Sequence, residues 1–90
     1  MISELDKQII IKISEKYKAT RILLFGSSLR KGVTAKDIDL GVEGVVESSY
    51  FSFYGELMCS LSNPVDVVDL GSKSKFAAIV KKEGLLIYGI

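Results

Sequence analysis

Two acids, Asp37 and Asp39, stand one residue apart inside an apolar run that reads Asp37-Ile38-Asp39-Leu40. Upstream, a first apolar run, Leu23-Leu24-Phe25, stops at Gly26-Ser27-Ser28. Alternate residues of a strand point to the same face, so Asp37 and Asp39 project side by side. Two carboxylates held together repel each other, and folding gains nothing from that alone. A divalent cation would turn the repulsion into attraction, because hard ions such as Mg²⁺ prefer carboxylate oxygens. The Gly-Ser turn offers closely approachable backbone amides suited to phosphate. Metal and phosphate together point to nucleotide chemistry.

Composition removes several alternatives. The chain has no histidine, which excludes a Ser-His-Asp triad, a Cys-His dyad and ordinary histidine-based zinc sites. Acid–base work must fall to carboxylates, Lys, Tyr or metal-bound water. Net charge is +1, so no global field holds nucleic acid, and a DNA- or RNA-coating role is disfavoured. The single cysteine, Cys59, cannot form an internal disulfide, and its place in an expected helix makes it a reduced core residue. Met1 to Lys7 lacks the long apolar stretch of a secretory signal, and no apolar run approaches the roughly 20 residues of a membrane span. The expected compartment is the cytoplasm.

Ninety residues at 48% hydrophobic content give one domain, 1–90, with a single core. Ser3 followed by Asp6 resembles a capping box. Leu5, Ile9, Ile13 and Tyr17 then recur at four-residue spacing, with Ile10 widening the stripe of a first helix. Arg21 to Phe25 reads as a short buried strand, ended by Gly26. Ser28 to Lys31 forms a helical turn closed by Gly32, and Asp37 to Val42 is the second strand. Val46 to Ser62 has helical length and is broken by Asn63-Pro64. Val65 to Leu70 is a third strand. Ser74 to Lys82 is a helix with Phe76, Ile79 and Val80 on one side and Gly84 as its cap. Leu85 to Tyr88 is a final short strand. The helix between strands two and three permits a parallel crossover, and the short link between strands one and two permits an antiparallel pair. The fold class is α+β: a small mixed sheet with helices packed on it.

That topology gathers the candidate site. The end of strand one lies beside the start of strand two, which brings Gly26-Ser27 toward Asp37 and Asp39. A parallel third strand starts at the same edge with Asp66. Strand three holds a second acid, Asp69, but three residues along it faces the other side and lies about 10 Å further on, at roughly 3.3 Å per residue. Asp66 has the better level.

These residues resemble a known family. Gly26-Ser27, Arg30, Gly32, Asp37-Ile38-Asp39-Leu40, Val65-Asp66-Val67-Val68-Asp69-Leu70 and the terminal Glu83-Gly84 to Ile87-Tyr88 are similar to a minimal nucleotidyltransferase of the DNA polymerase beta nucleotidyltransferase superfamily. The resemblance implies transfer of a nucleoside monophosphate, AMP from ATP, to an acceptor hydroxyl with release of pyrophosphate. It implies that Asp37, Asp39 and Asp66 bind Mg²⁺ or Mn²⁺, that Asp66 helps deprotonate the acceptor, and that Gly26 and Ser27 contact the triphosphate. Arg30 would neutralise phosphate charge with its forked donors. Family members often read G-S-x-A-R-G, whereas here Leu29 replaces a small residue and Lys31 precedes the glycine, so the triphosphate turn has its own shape. Many such proteins resemble the antitoxin half of a toxin–antitoxin pair, with a helical HEPN partner whose tyrosine accepts the nucleotide.

Plainer readings stand beside these. Gly26-Ser27 alone is an ordinary turn, Asp37 and Asp39 alone a solvated strand edge, and Lys73 and Lys75 a solvated first turn of a helix. Four rings, Tyr50, Phe51, Phe53 and Tyr54, cannot all face one side of a helix, so at least one is exposed or covered, in a homo-oligomer or a complex. A binding module that docks on a helical partner through this helix is the alternative to catalysis. A small RNA-modifying subunit is a third reading, disfavoured by the charge.

Overall fold

The computed structural model describes residues 2–26, 37–71 and 73–89. The readings that fall on Ser27, the Ser28 to Lys31 turn, Arg30 and Gly32 lie outside the described residues. Among the described residues the order is α1 (Glu4–Lys16), β1 (Arg21–Phe25), β2 (Ile38–Glu43), one 3-10 turn (Glu47–Ser49), α2 (Tyr50–Ser60), β3 (Val65–Asp69), α3 (Lys75–Glu83) and β4 (Leu85–Gly89). The expected α+β class holds, and no described helix is long and apolar enough to cross a membrane.

The four strands lie in the order β3-β2-β1-β4. β1 pairs antiparallel with both β2 and β4, and β2 pairs parallel with β3. Alternation along β2 sends Ile38, Leu40 and Val42 into the main core, where α1 and α2 supply Ile10, Phe53 and Leu57. Asp39, Gly41 and Glu43 face the opposite side. There α3 packs a smaller cluster of Leu23, Leu70 and Val80, with Phe25 against it.

Ser3 caps α1 by accepting the Asp6 N–H at 3.1 Å, as its position predicts. The Asp6 carboxylate turns to Ser62, accepting its hydroxyl at 2.6 Å and its N–H at 3.4 Å. Asp6 is buried, so this contact ties the start of α1 to the turn that leads into β3. It also corrects the expected helix stripe. The buried line runs through Asp6, Ile10, Ile13 and Tyr17, and Leu5, one position off that line, is 71% exposed. Cys59 is corrected too: α2 buries Phe53 and Leu57, which turns Cys59 to the solvent side, where it is exposed. The expected helix at Val46 to Ser62 is shorter, with the 3-10 turn standing at its start. In α3 the buried residues are Ala77 and Val80, while Phe76 and Ile79 face outward.

At the far end of the β1–β2 ladder Arg21 sits opposite Glu43. Its Nε and Nη2 donate to the two carboxylate oxygens at 3.1 and 2.9 Å, and Lys81 of α3 approaches at 3.7 Å. Half-exposed pairs contribute only about 0–1 kcal/mol. This one has a forked geometry that fits a single register. The Arg21 hydrogen bonds, helped by the charges of Arg21 and Lys81, hold the Glu43 carboxyl below its ordinary value of 4.5 against the opposing effect of partial burial. Because the folded value is depressed, the stabilisation is present above 4.5 and is lost as pH falls through the folded value. Glu43→Gln is therefore expected to be less stable than the parent chain in chemical denaturation at neutral pH, with the gap narrowing as acidification takes Glu43 through its folded value. A gap unchanged by acid would remove the ion pair from this account.

Candidate functional site

The start of β2 is held on both sides. The Ile38 N–H donates to the Pro64 carbonyl at 2.8 Å, which fixes the first residues of β2 and β3 at one level. Asp39 then lies opposite Asp66 on one side and opposite Phe25 on the other. Directly opposed residues share a face, and neighbouring strands lie about 4.7–4.9 Å apart. Asp39 and Asp66 are therefore adjacent on the face that carries α3. Asp37 stands two residues ahead of Asp39, just before β2 begins. Asp37 and Asp66 are exposed and Asp39 is half-buried.

Gly26 closes the arrangement. It follows β1 with φ of +64°, a left-handed conformation that favours glycine. A Cβ built there would stand 2.6 Å from Oδ2 of Asp39 and 3.3 Å from its Cγ. The turn's backbone is thus pressed against one of the carboxylates. A glycine bend and an acid, Gly26 and Asp39, distant in the chain, share one corner of the sheet through the antiparallel register.

Asp69 goes elsewhere. It lies opposite Val42 and accepts the Gly71 N–H at 2.8 Å, a turn-forming contact. Its side of the sheet carries a groove of about 590 Å³ lined with Val67, Tyr50 and Phe51. Burial, and secondarily the charge of Asp69, push the Tyr50 phenol up to about 12.

Oxygen-only donors suit Mg²⁺ or Mn²⁺, and the two opposed strands supply them from adjacent backbones. Among the described residues no three acidic, histidine or cysteine side chains are gathered tightly enough to hold an ion in this structure. Asp37 and Asp39 both engage other groups. The backbone places the candidate ligands together, and the carboxylates would have to turn toward a shared ion. Ser27 and Arg30 lie outside the described residues.

Sequence reasoning missed one neighbour of this corner. Phe25, on the Asp39 face, meets Phe76 of α3 edge to face with ring centroids 5.7 Å apart. The signal was present: Phe25 directly precedes Gly26, and strand alternation puts it on the acid-bearing side.

The family model described as Polymerase beta, Nucleotidyltransferase matches residues 7–90. Several solved structures share the fold. A chain of the crystal structure of a toxin–antitoxin with AMP-PNP superposes with a TM-score of 0.75 at 28% identity, over 96% of this chain and 75% of that one. A chain of the toxin–antitoxin MntA-HepT gives 0.72 at 26% identity, over 98% and 74%. A chain of the tri-AMPylated Shewanella oneidensis HEPN toxin in complex with MNT antitoxin gives 0.72 at 28% identity, over 97% and 72%. No curated protein sequence is a significant match.

Gly26→Ala is expected to displace the Asp39 carboxylate and to strain the turn. A non-glycine residue in this conformation costs roughly 1–2 kcal/mol. Nucleotide binding, measured by titration calorimetry, should fall further than that stability change accounts for. A variant that binds nucleotide as the parent does would show that the turn and the carboxylate act independently.

Proposed function

The chain belongs to the polymerase beta nucleotidyltransferase family, and from that premise we propose that it moves AMP from ATP to an acceptor hydroxyl, a tyrosine of a HEPN-type helical partner. The observation that carries this reading is the corner itself: Asp39 opposite Asp66, with Gly26 packed on the Asp39 carboxylate. The solved relatives add support, since one is a complex with AMP-PNP and another contains an AMPylated HEPN toxin with its MNT antitoxin. We read 1–90 as one nucleotidyltransferase domain.

Asp37, Asp39 and Asp66 would hold Mg²⁺ or Mn²⁺. Bound there, the metal neutralises triphosphate charge and lowers the pKa of the attacking group. Gly26 and Ser27 would bind the triphosphate through backbone amides, and Arg30 would neutralise its charge. The acceptor oxygen attacks the α-phosphorus, and a new oxygen–phosphorus bond forms. The bond from that phosphorus to the bridging oxygen of the β-phosphate breaks, and pyrophosphate leaves. Asp66 takes the acceptor proton. Asp69, occupied with Gly71 on the other face, has no part in the transfer.

A second reading rests on Phe51, which is 92% exposed on α2. An aromatic ring left in water on a helix suits docking of a helical partner, so neutralisation by contact could accompany or replace chemistry.

With Mg²⁺ or Mn²⁺ and labelled ATP, a co-expressed HEPN partner should gain label. Asp37→Ala, Asp39→Ala and Asp66→Asn should each reduce the rate by about 100-fold or more, the scale on which charge-stabilising groups act. Asp69→Asn should stay within a few-fold of the parent. Full labelling by Asp39→Ala, or loss in Asp69→Asn with retention in Asp66→Asn, would overturn the assignment. An Asp37→Ala, Asp39→Ala chain that still binds and fully neutralises its partner would transfer the case to docking.

A further inference from the structure

Beside Gly26 the same face carries a feature that the transfer chemistry leaves unused. Phe76 and Ile79 of α3 are 53% and 52% exposed. They face outward next to Phe25, and with Gly26, Val80 and Glu83 they wall a groove of about 340 Å³. The grooves on α1 and beside α2 contain none of Gly26, Asp37, Asp39 or Asp66. This one shares Gly26 with the triphosphate turn.

Resting on the nucleotidyl-transfer reading, we infer that this groove seats the heterocyclic base of the nucleotide. Four arguments meet here. Phe25 lies opposite Asp39 on the acid-bearing face, so a sugar and base that leave an α-phosphate held at the carboxylates have the groove walled by Phe25 beside them. The groove next to that turn is walled by two phenyl rings, Ile79 and Val80, together with Glu83, and its rings offer faces on which a flat heterocycle stacks. Its volume falls at the lower end of small-ligand pockets, which suits one ring system. The edge-to-face contact of Phe25 and Phe76 leaves the second ring half in water, so a base covering it removes apolar surface that folding has left exposed.

The test compares two probes on the whole chain with Mg²⁺: ATP, which has a base, and inorganic tripolyphosphate, which does not. Phe76→Ala is expected to weaken ATP on the order of tenfold while changing tripolyphosphate less than twofold, and Phe76→Tyr should bind ATP as the parent does. Because Phe76 is half exposed, loss of folding is not expected; Ile79→Ala gives an independent check, with a smaller loss in the same direction. Equal weakening of both probes, or no weakening of either, overturns the assignment of the base while leaving the phosphate site in place. If Phe76→Ala keeps ATP affinity and instead abolishes self-association in sedimentation, the groove is a contact between copies and the assignment is overturned. If the parent chain binds neither probe, the nucleotidyl-transfer reading falls and takes the groove with it.

Discussion

Everything at the candidate site depends on the register of β2. Its even-numbered residues, Ile38, Leu40 and Val42, are buried against α1 and α2. Its odd-numbered ones carry a carboxylate, a glycine and a second carboxylate to the other face. Slipping the strand by one residue would expose three aliphatic side chains, each at a cost of about 1.5–3 kcal/mol, and would press Asp39 into hydrocarbon. Core packing that touches no substrate therefore decides where the acids point. The Ile38–Pro64 backbone bond and the Leu70–Val42 bond, both 2.8 Å, fix β3 against that strand at its two ends.

Small residues then determine how the acid-bearing face is shared. A Cβ on Gly41 would come within 2.8 Å of Val80 and 2.9 Å of Leu70, so its absence lets α3 settle onto the sheet. The helix covers the part of the face beyond Asp39 and leaves the corner at Gly26 accessible. Gly26 does the complementary thing at the strand end, admitting the Asp39 carboxylate against its own backbone. One glycine seats the helix and the other seats the acid. Both arise from the same alternation that built the core on the opposite side.

Much of this was legible in the chain because its signals are local. Apolar runs ended by glycine marked the strands, Asn63-Pro64 marked the end of α2, and three-residue spacing separated Asp66 from Asp69 by face. What escaped depends on contacts between elements. Leu5 looked like core because four-residue spacing allows two neighbouring stripes, and the buried one is the stripe that carries Asp6, which is bonded to Ser62. Cys59 looked buried because α2 is rich in apolar residues, yet that helix buries Phe53 and Leu57 and leaves Cys59 exposed. The Phe25–Phe76 contact joins residues fifty-one apart, and no periodicity within α3 reports which of its apolar residues the sheet leaves uncovered. The forked Arg21–Glu43 pair was likewise invisible until the register was known.

The central claim is that Gly26, Asp39 and Asp66 form one metal–nucleotide corner, and paramagnetic broadening by Mn²⁺ tests it most directly. In NMR spectra of the isotope-labelled chain with AMP-PNP, substoichiometric Mn²⁺ should erase the backbone amide signals of Gly26, Asp39 and Asp66 first. Those of Glu43 and Asp69 should survive at the same ratio. Early loss at Glu43 or Asp69 with Gly26 and Asp66 intact, or broadening spread evenly over the acidic residues, would contradict the account.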